Sequence, residues 1–184
     1  MIHESRYWKI PLLRGATFLE KLVVIEENAE SSLARAEREL FIGFYAIRKL
    51  LPTFKLSSAT KALTNSVTWF APRTDQPVDY FHRSDVDELF DLERPTVETR
   101  DLGFMCNQVI HSYIFVNSTT EEGKLDGFFV SSDTMRRRRL YFFGLPTVLR
   151  AFRTVGRDYP TSGHYEFNEK TSEWEVLQAA TART

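Results

Sequence analysis

Hydrophobic positions recur at helical spacing early in the chain. From about Ala16 to Leu51, the residues Leu33, Ala36, Leu40, Phe44, Ile47 and Leu51 fall three and four apart, while Arg35, Glu39 and Lys49 occupy the opposite face. Whether Asn28 to Ser32 divides this stretch into two helices stays open, because Ser and Asn compete locally for backbone hydrogen bonds. Pro52 ends it. Ahead of it, Arg6 to Leu13, with Tyr7 and Trp8 before Pro11, reads as an arm lying over the core. Ser57 or Ser58 can cap a second helix running to about Trp69, closed by Pro72. Residues 71–83, with Pro72 and Pro77, read as a loop. Ser84 caps a short helix from Asp85 to Leu92, whose acidic residues suit the positive end of the helix dipole. Thr96, just after Pro95, can cap a long helix to about Val116.

That last stretch is apolar on nearly every side. Leu102, Cys106, Val109 and Tyr113 share one side of a helix, and Phe104, Ile114 and Phe115 occupy others. A helix of that kind is central and buried, enclosed by its own fold or by a partner subunit. After Ser118 the pattern changes to strands. Gly127 to Val130 and Arg137 to Phe143 are joined by the polar turn Ser131 to Thr134. Pro146 suits the first turn of a helix reaching about Val155. His164 to Phe167 and Glu173 to Leu177 then form a second hairpin, and Gln178 to Thr184 is a frayed tail.

Composition narrows the function classes. The chain has 184 residues, 42% hydrophobic and 14% aromatic, enough to bury its own core as one domain over 1–184. Fifteen phenylalanines imply that aromatic packing dominates that core. A net charge of −1 gives no global field to gather polyanions, so any site for one must be a local patch. One cysteine cannot form an internal disulfide, and no apolar leader is visible, which points to a reducing cytoplasm. No apolar run reaches the roughly 18 residues of a spanning helix, so no membrane is expected. No metal-ligand spacing is found, His82 and His164 stand alone, and no glycine-rich phosphate loop or serine-nucleophile elbow occurs, so no cofactor is expected.

Two constellations carry candidate chemistry. Asn107 and His111 are four apart and stack on one helical face, where the amide could orient the imidazole. Tyr113 follows two residues later. The string Asn107-x-x-x-His111-x-Tyr113 resembles the HEPN superfamily, helical domains with an arginine five positions before the histidine. Here that position is Cys106. The resemblance covers about residues 16–116 and implies a helical bundle and a homodimer with Cys106 and Tyr113 at its interface. Active members are metal-independent ribonucleases, in which histidine moves protons and arginine stabilises phosphate charge. With Cys106 in place of arginine, the resemblance implies a non-catalytic relative that binds protein or RNA. The competing expectation is a metal-independent ribonuclease of a defence or toxin system, with His111 as general acid/base, Asn107 as its orienter and an arginine of the 136–139 run as phosphate clamp. His111 as a buried, hydrogen-bonded core histidine fits the same pattern.

The second constellation is Arg136, Arg137, Arg138 and Arg139, followed by Leu140 and Tyr141. Arginine beside aromatic rings is a surface suited to phosphate or single-stranded RNA. Arg150, Arg153 and Arg157, three and four apart on the next helix, can extend it. Charged residues on an edge strand also simply discourage unwanted pairing. The sequence therefore predicts an α+β, mostly α fold: a HEPN-like bundle over 16–116 and a β-hairpin, helix and hairpin over 117–177. It is expected to act as a homodimer, with a protein partner or RNA as the possible ligands.

Overall fold

A computed structural model describes residues 2–73 and 78–181. Its chain order is helix α1 (Arg6–Lys21), α2 (Ala29–Leu50), a single turn α3 (Ser58–Lys61), strand β1 (Thr64–Phe70), a turn α4 (Val86–Leu89), β2 (Thr96–Asp101) and α5 (Leu102–Ile110). Strands β3 (Ser112–Thr119), β4 (Leu125–Ser132) and β5 (Leu140–Gly144) follow, then α6 (Leu145–Arg157) and the hairpin β6 (Ser162–Asn168) and β7 (Glu173–Ala180). Five strands form one antiparallel sheet in the order β2-β1-β5-β4-β3, and β6-β7 form a separate pair.

The mostly helical bundle expected over residues 16–116 is not formed. The stretch expected to be a helix from Ser57 to Trp69 is one turn followed by β1, and the long helix expected from Thr96 to Val116 is β2, nine residues of α5, and β3. Thr64, Val67 and Thr68, then Thr96, Val97 and Thr99, are β-branched and stiff at χ1, which favours a pleated strand. The all-round apolar run is therefore two elements, each with its own buried side, because a short apolar run does not reveal its period. Asp101 starts α5 by accepting a hydrogen bond from the Phe104 N–H at 2.7 Å. The expected arm at Arg6 to Leu13 is the first half of α1, which carries Pro11 in its second turn. The long helical stretch is divided, but ahead of most of Asn28 to Ser32: α1 ends at Lys21, a 3-10 turn covers Glu26–Asn28, and α2 runs from Ala29 through Ser31 and Ser32. The helix after Pro146 and the last hairpin are formed where expected, the hairpin extending to Ala180. Residues 74–77 of the expected loop and 182–184 of the tail lie outside the described residues.

Helices α1, α2, α5 and α6 cover one face of the sheet. Its residues Val67, Phe128, Val130, Tyr141 and Phe143 join the main core. Phe44 of α2 is the centre, with ring centroids of Phe152, Phe128 and Phe143 at 5.4, 6.2 and 6.4 Å. The apolar residues of α5 and β3 that suggested a partner surface are thus packed against the chain's own elements. On the other face, the segment 78–90 closes a smaller core over Phe70, Leu140 and Ile114. Beside it runs a cross-strand row, Val97, Thr68, Phe142, Phe129 and Val116, one residue from each strand. Val97, 65% exposed, marks where this face opens to solvent.

Lys9 ties the N-terminal helix to the end of α6. It is fully buried, and its Nζ donates to the carbonyl of Lys55 at 2.6 Å and to that of Asp158, over the ring of Tyr159 at 4.3 Å. Asp158 Oδ2 in turn accepts from the N–H and Oγ of Ser57 at 2.7 and 3.0 Å. Burial holds the Lys9 ammonium below its ordinary pKa, and the Asp158 charge acts the other way.

Helix α2 approaches α6 so closely at Gly43 that a Cβ there would lie far inside van der Waals contact with Phe152 Cζ. Gly43→Ala is expected to destabilise the protein by about 2–3 kcal/mol, since the added methyl would force the buried Phe152 ring out of its place in the core. Urea unfolding followed by circular dichroism would read this as a lower midpoint at unchanged slope, and a wild-type midpoint would show that the contact is slack.

Candidate nucleic-acid interface

The four arginines do not lie on a strand. Residues 133–138 form turns, in which the N–H groups of Arg136 and Arg139 bond the carbonyls of Ser132 and Met135 at 2.9 and 3.0 Å, and β5 begins only at Leu140. Arg136 lies inside this turn and reaches Tyr113 and Val78, whereas Arg139 has left the turn and leads into β5 on the Trp69 side; Arg137 and Arg138 are exposed. Arg136 stacks on the ring of Tyr113 at 3.8 Å, donates to the Val78 carbonyl at 3.3 Å and pairs with Asp133 at 3.3 Å. Arg83 lies 5.9 Å from the same Tyr113 ring.

Arg139 builds the denser cluster. Its guanidinium lies over the Trp69 ring at 4.2 Å and donates to Glu98 Oε2 at 2.9 Å. Glu98 accepts from Arg100 Nε on its other oxygen at 2.6 Å, and Arg100 lies over the Phe104 ring at 4.4 Å. Phe104 in turn meets the ring of Tyr141 edge-on at 5.0 Å. Strand register explains the cluster. Val67 opposes Glu98, Trp69 opposes both Thr96 and Tyr141, and Asn65 opposes Arg100, so alternation puts Glu98, Arg100, Trp69 and Tyr141 on one face. The start of α5 adds Phe104.

The electrostatics follow from this crowding. Burial pushes the Glu98 carboxyl up, but the Arg100 hydrogen bond, Tyr141 and the Arg139 charge outweigh it and hold the group below the ordinary carboxylate range. Tyr141 is fully buried, and burial raises its phenol. Its hydroxyl lies near Glu98 and Arg139 yet meets no described residue at hydrogen-bond geometry.

Asn107 is exposed on α5 and borders a cleft of about 570 Å³ with Arg48, Thr64, Arg100 and Phe104. His111 is exposed at the end of α5, where its N–H bonds the Asn107 carbonyl at 3.1 Å and its carbonyl accepts from Asp133 at 3.0 Å. Among the described residues, no hydrogen bond joins its ring to the Asn107 amide, and no arginine hydrogen-bonds to it. The pair that the helical spacing brings onto one face is therefore not coupled through its side chains. Cys106 is fully buried in the main core, where burial pushes its thiol up to about 12. Tyr113 is half-buried on β3 beneath Arg136. Among the described residues, no group of three or more His, Cys, Asp or Glu side chains could hold a metal, and no helix is long and apolar enough to cross a membrane.

Sequence reasoning did not single out Trp69, Glu98, Arg100 or Phe104 as site residues. A signal was present: from Arg136 to Arg157 the chain carries seven arginines and no acidic residue. The fold and site together define a helix-covered antiparallel sheet with an arginine-aromatic margin. No protein-family model matches the chain, and neither a curated protein nor a solved structure matches it.

Two outcomes test this geometry. Glu98→Gln is expected to lose about 1–2 kcal/mol at pH 7, the scale of a charge-assisted hydrogen-bond pair. A lowered folded pKa gives stability that is present above the unfolded value of about 4.3 and lost as pH falls through the folded one, so the deficit should shrink below about pH 4. A deficit independent of pH in denaturant titrations would mean that Glu98 acts only through packing. Cys106, with its thiol near 12, should resist a thiol reagent at pH 8 in the native protein and react on unfolding, read by mass spectrometry.

Proposed function

We propose that this chain is a non-catalytic protein that binds single-stranded RNA along the margin formed by Arg139, Trp69, Glu98, Arg100 and Phe104. The observation that supports it is the pair of arginines stacked on aromatic rings and braced through one carboxylate, at 2.9 and 2.6 Å. Stacking and bracing fix both guanidiniums before a ligand arrives, so little side-chain entropy remains to be lost on binding. Glu98 uses one donor on each arginine, which leaves the other N–H groups for phosphate oxygens. Trp69 and Phe104 are both part-exposed and offer ring faces to unpaired bases, which every base can use. Exposed Arg137 and Arg138 add charge at the turn above, and Arg48 and Asn107 continue the margin along the neighbouring cleft. A duplex, whose bases are already stacked, cannot use the rings.

The reading assigns no bond-breaking step. It gives His111 no catalytic role, since no arginine hydrogen-bonds to its ring among the described residues.

Fluorescence anisotropy with a labelled single-stranded RNA is the test. Trp69→Ala should weaken binding about 5- to 100-fold, the scale of one lost base stack at roughly 1–3 kcal/mol. Arg139→Ala should reduce the slope of log affinity against log salt by about 0.7, one phosphate contact on a single strand. Equal affinity for duplex and single strand, or affinity indifferent to salt, would sink the reading.

A further inference from the structure

A second cluster of arginines lies beyond that margin, on the face of α6 that the proposed RNA path does not use. Arg150, Arg153 and Arg157, with Thr154 between them, line one wall of a cleft of about 740 Å³. Its other walls are Ser57 and Thr60 at the start of α3, Tyr159, and Thr161 at the entry to the last hairpin. The volume lies in the range of sites that hold a single nucleotide-sized molecule.

The charge in this cleft is unbalanced. Arg153 is neutralised by Glu20, at 2.5 Å. Asp158, the one carboxylate among the described lining residues, is engaged by other groups: it accepts from the Ser57 N–H and Oγ, and its charge acts on the buried Lys9 ammonium. Among the described residues, Arg150 makes only long bonds to neutral acceptors, the Thr64 carbonyl at 3.3 Å and Asn65 Oδ1 at 3.4 Å. Asn65 is almost fully buried, and its Nδ2 has no partner among the described residues, so the amide holds Arg150 without neutralising it. Arg157 is exposed and forms no ion pair among the described residues. Two guanidinium charges are therefore left over, beside hydroxyls that can donate or accept. Tyr159, 43% exposed and with Lys9 over its ring, supplies an aromatic surface at the same place.

We propose that this cleft binds a phosphomonoester dianion carried on a nucleoside-sized group. Two uncompensated arginines match the two negative charges of the phosphate, and a guanidinium fork matches its oxygen geometry. Thr154 and Thr161, which are at least part-exposed, suit the hydroxyls of a sugar, and Tyr159 suits a base. The site stands on different residues from the RNA margin and does not depend on that reading.

Isothermal titration of the full chain with adenosine 5′-monophosphate, and with adenosine as its control, decides the matter. The monophosphate should bind at least about tenfold more tightly than the nucleoside, and inorganic phosphate should compete with it. Arg157→Ala, an exposed change that leaves the core untouched, should weaken the monophosphate about tenfold at an unchanged melting temperature, with Arg157→Lys intermediate. Arg139→Ala should bind it as wild type does, which separates this cleft from the RNA margin. Absence of monophosphate binding by folded protein, equal binding of adenosine, or an unaffected Arg157→Ala would each overturn the proposal.

Discussion

Burying an ammonium group is costly unless its hydrogen bonds are met, and this molecule buries one at Lys9. The residue sits in the first half of α1, yet its acceptors come from Lys55 and Asp158, at opposite ends of the chain's middle. Those carbonyls can meet it only if the end of α6 and the approach to α3 converge on α1. Once they do, Asp158 is close enough to hold the Ser57 N–H, which starts the turn leading into β1. Satisfying this one cation thus ties α1, the end of α6 and the entry to α3 together just ahead of β1.

From that anchor the two arginine clusters take their different characters. Along the β1–β2 margin, alternation and pairing bring arginines onto aromatic rings and a shared carboxylate, so charge is braced and partly compensated. On α6, helical spacing brings three arginines to one wall, where Arg153 alone finds a carboxylate among the described residues. A near-neutral chain thus carries concentrated positive charge at two places, while acidic residues gather on the segment around α4 and on the outer hairpin, where Glu166 stands opposite Glu175. Net charge conceals this segregation.

The legible parts of the sequence were those with local punctuation. Pro146 opening α6, Pro52 after α2 and the polar turn before Glu173 each mark a boundary by chemistry that acts within a few residues. The hidden parts depended on distant partners. The residues from Thr96 to Val116 can be written as one helix, apolar on nearly every side. Only pairing of Glu98 with Val67, and of Phe115 with Val130, makes the ends strands. The arginines could be seen as a group, but their separation could not, because the winding of 133–138 is fixed by the sheet at both ends. Lys9 was unreadable as a core residue, since nothing nearby in sequence supplies its acceptors. Cys106 and His111, neighbours in one motif, differ completely in exposure because α5 ends between interior and surface.

The strand order has a kinetic consequence. β1 and β2 make one antiparallel pair across the segment that carries α4, and β3, β4 and β5 make a consecutive meander, so each half closes shorter loops than the joint between them does. The two halves meet along a single seam, where Thr68, Trp69 and Phe70 join Phe142, Tyr141 and Leu140. Closing it requires a long loop, whose entropy must be overcome before the seam is rewarded, which makes docking of preformed halves the natural late step in folding. Trp69 belongs to one half and Arg139 to the other. A chain caught before docking would hold much of its secondary structure but not the arginine-tryptophan stack, so ligand capture would report completion of the fold rather than its onset.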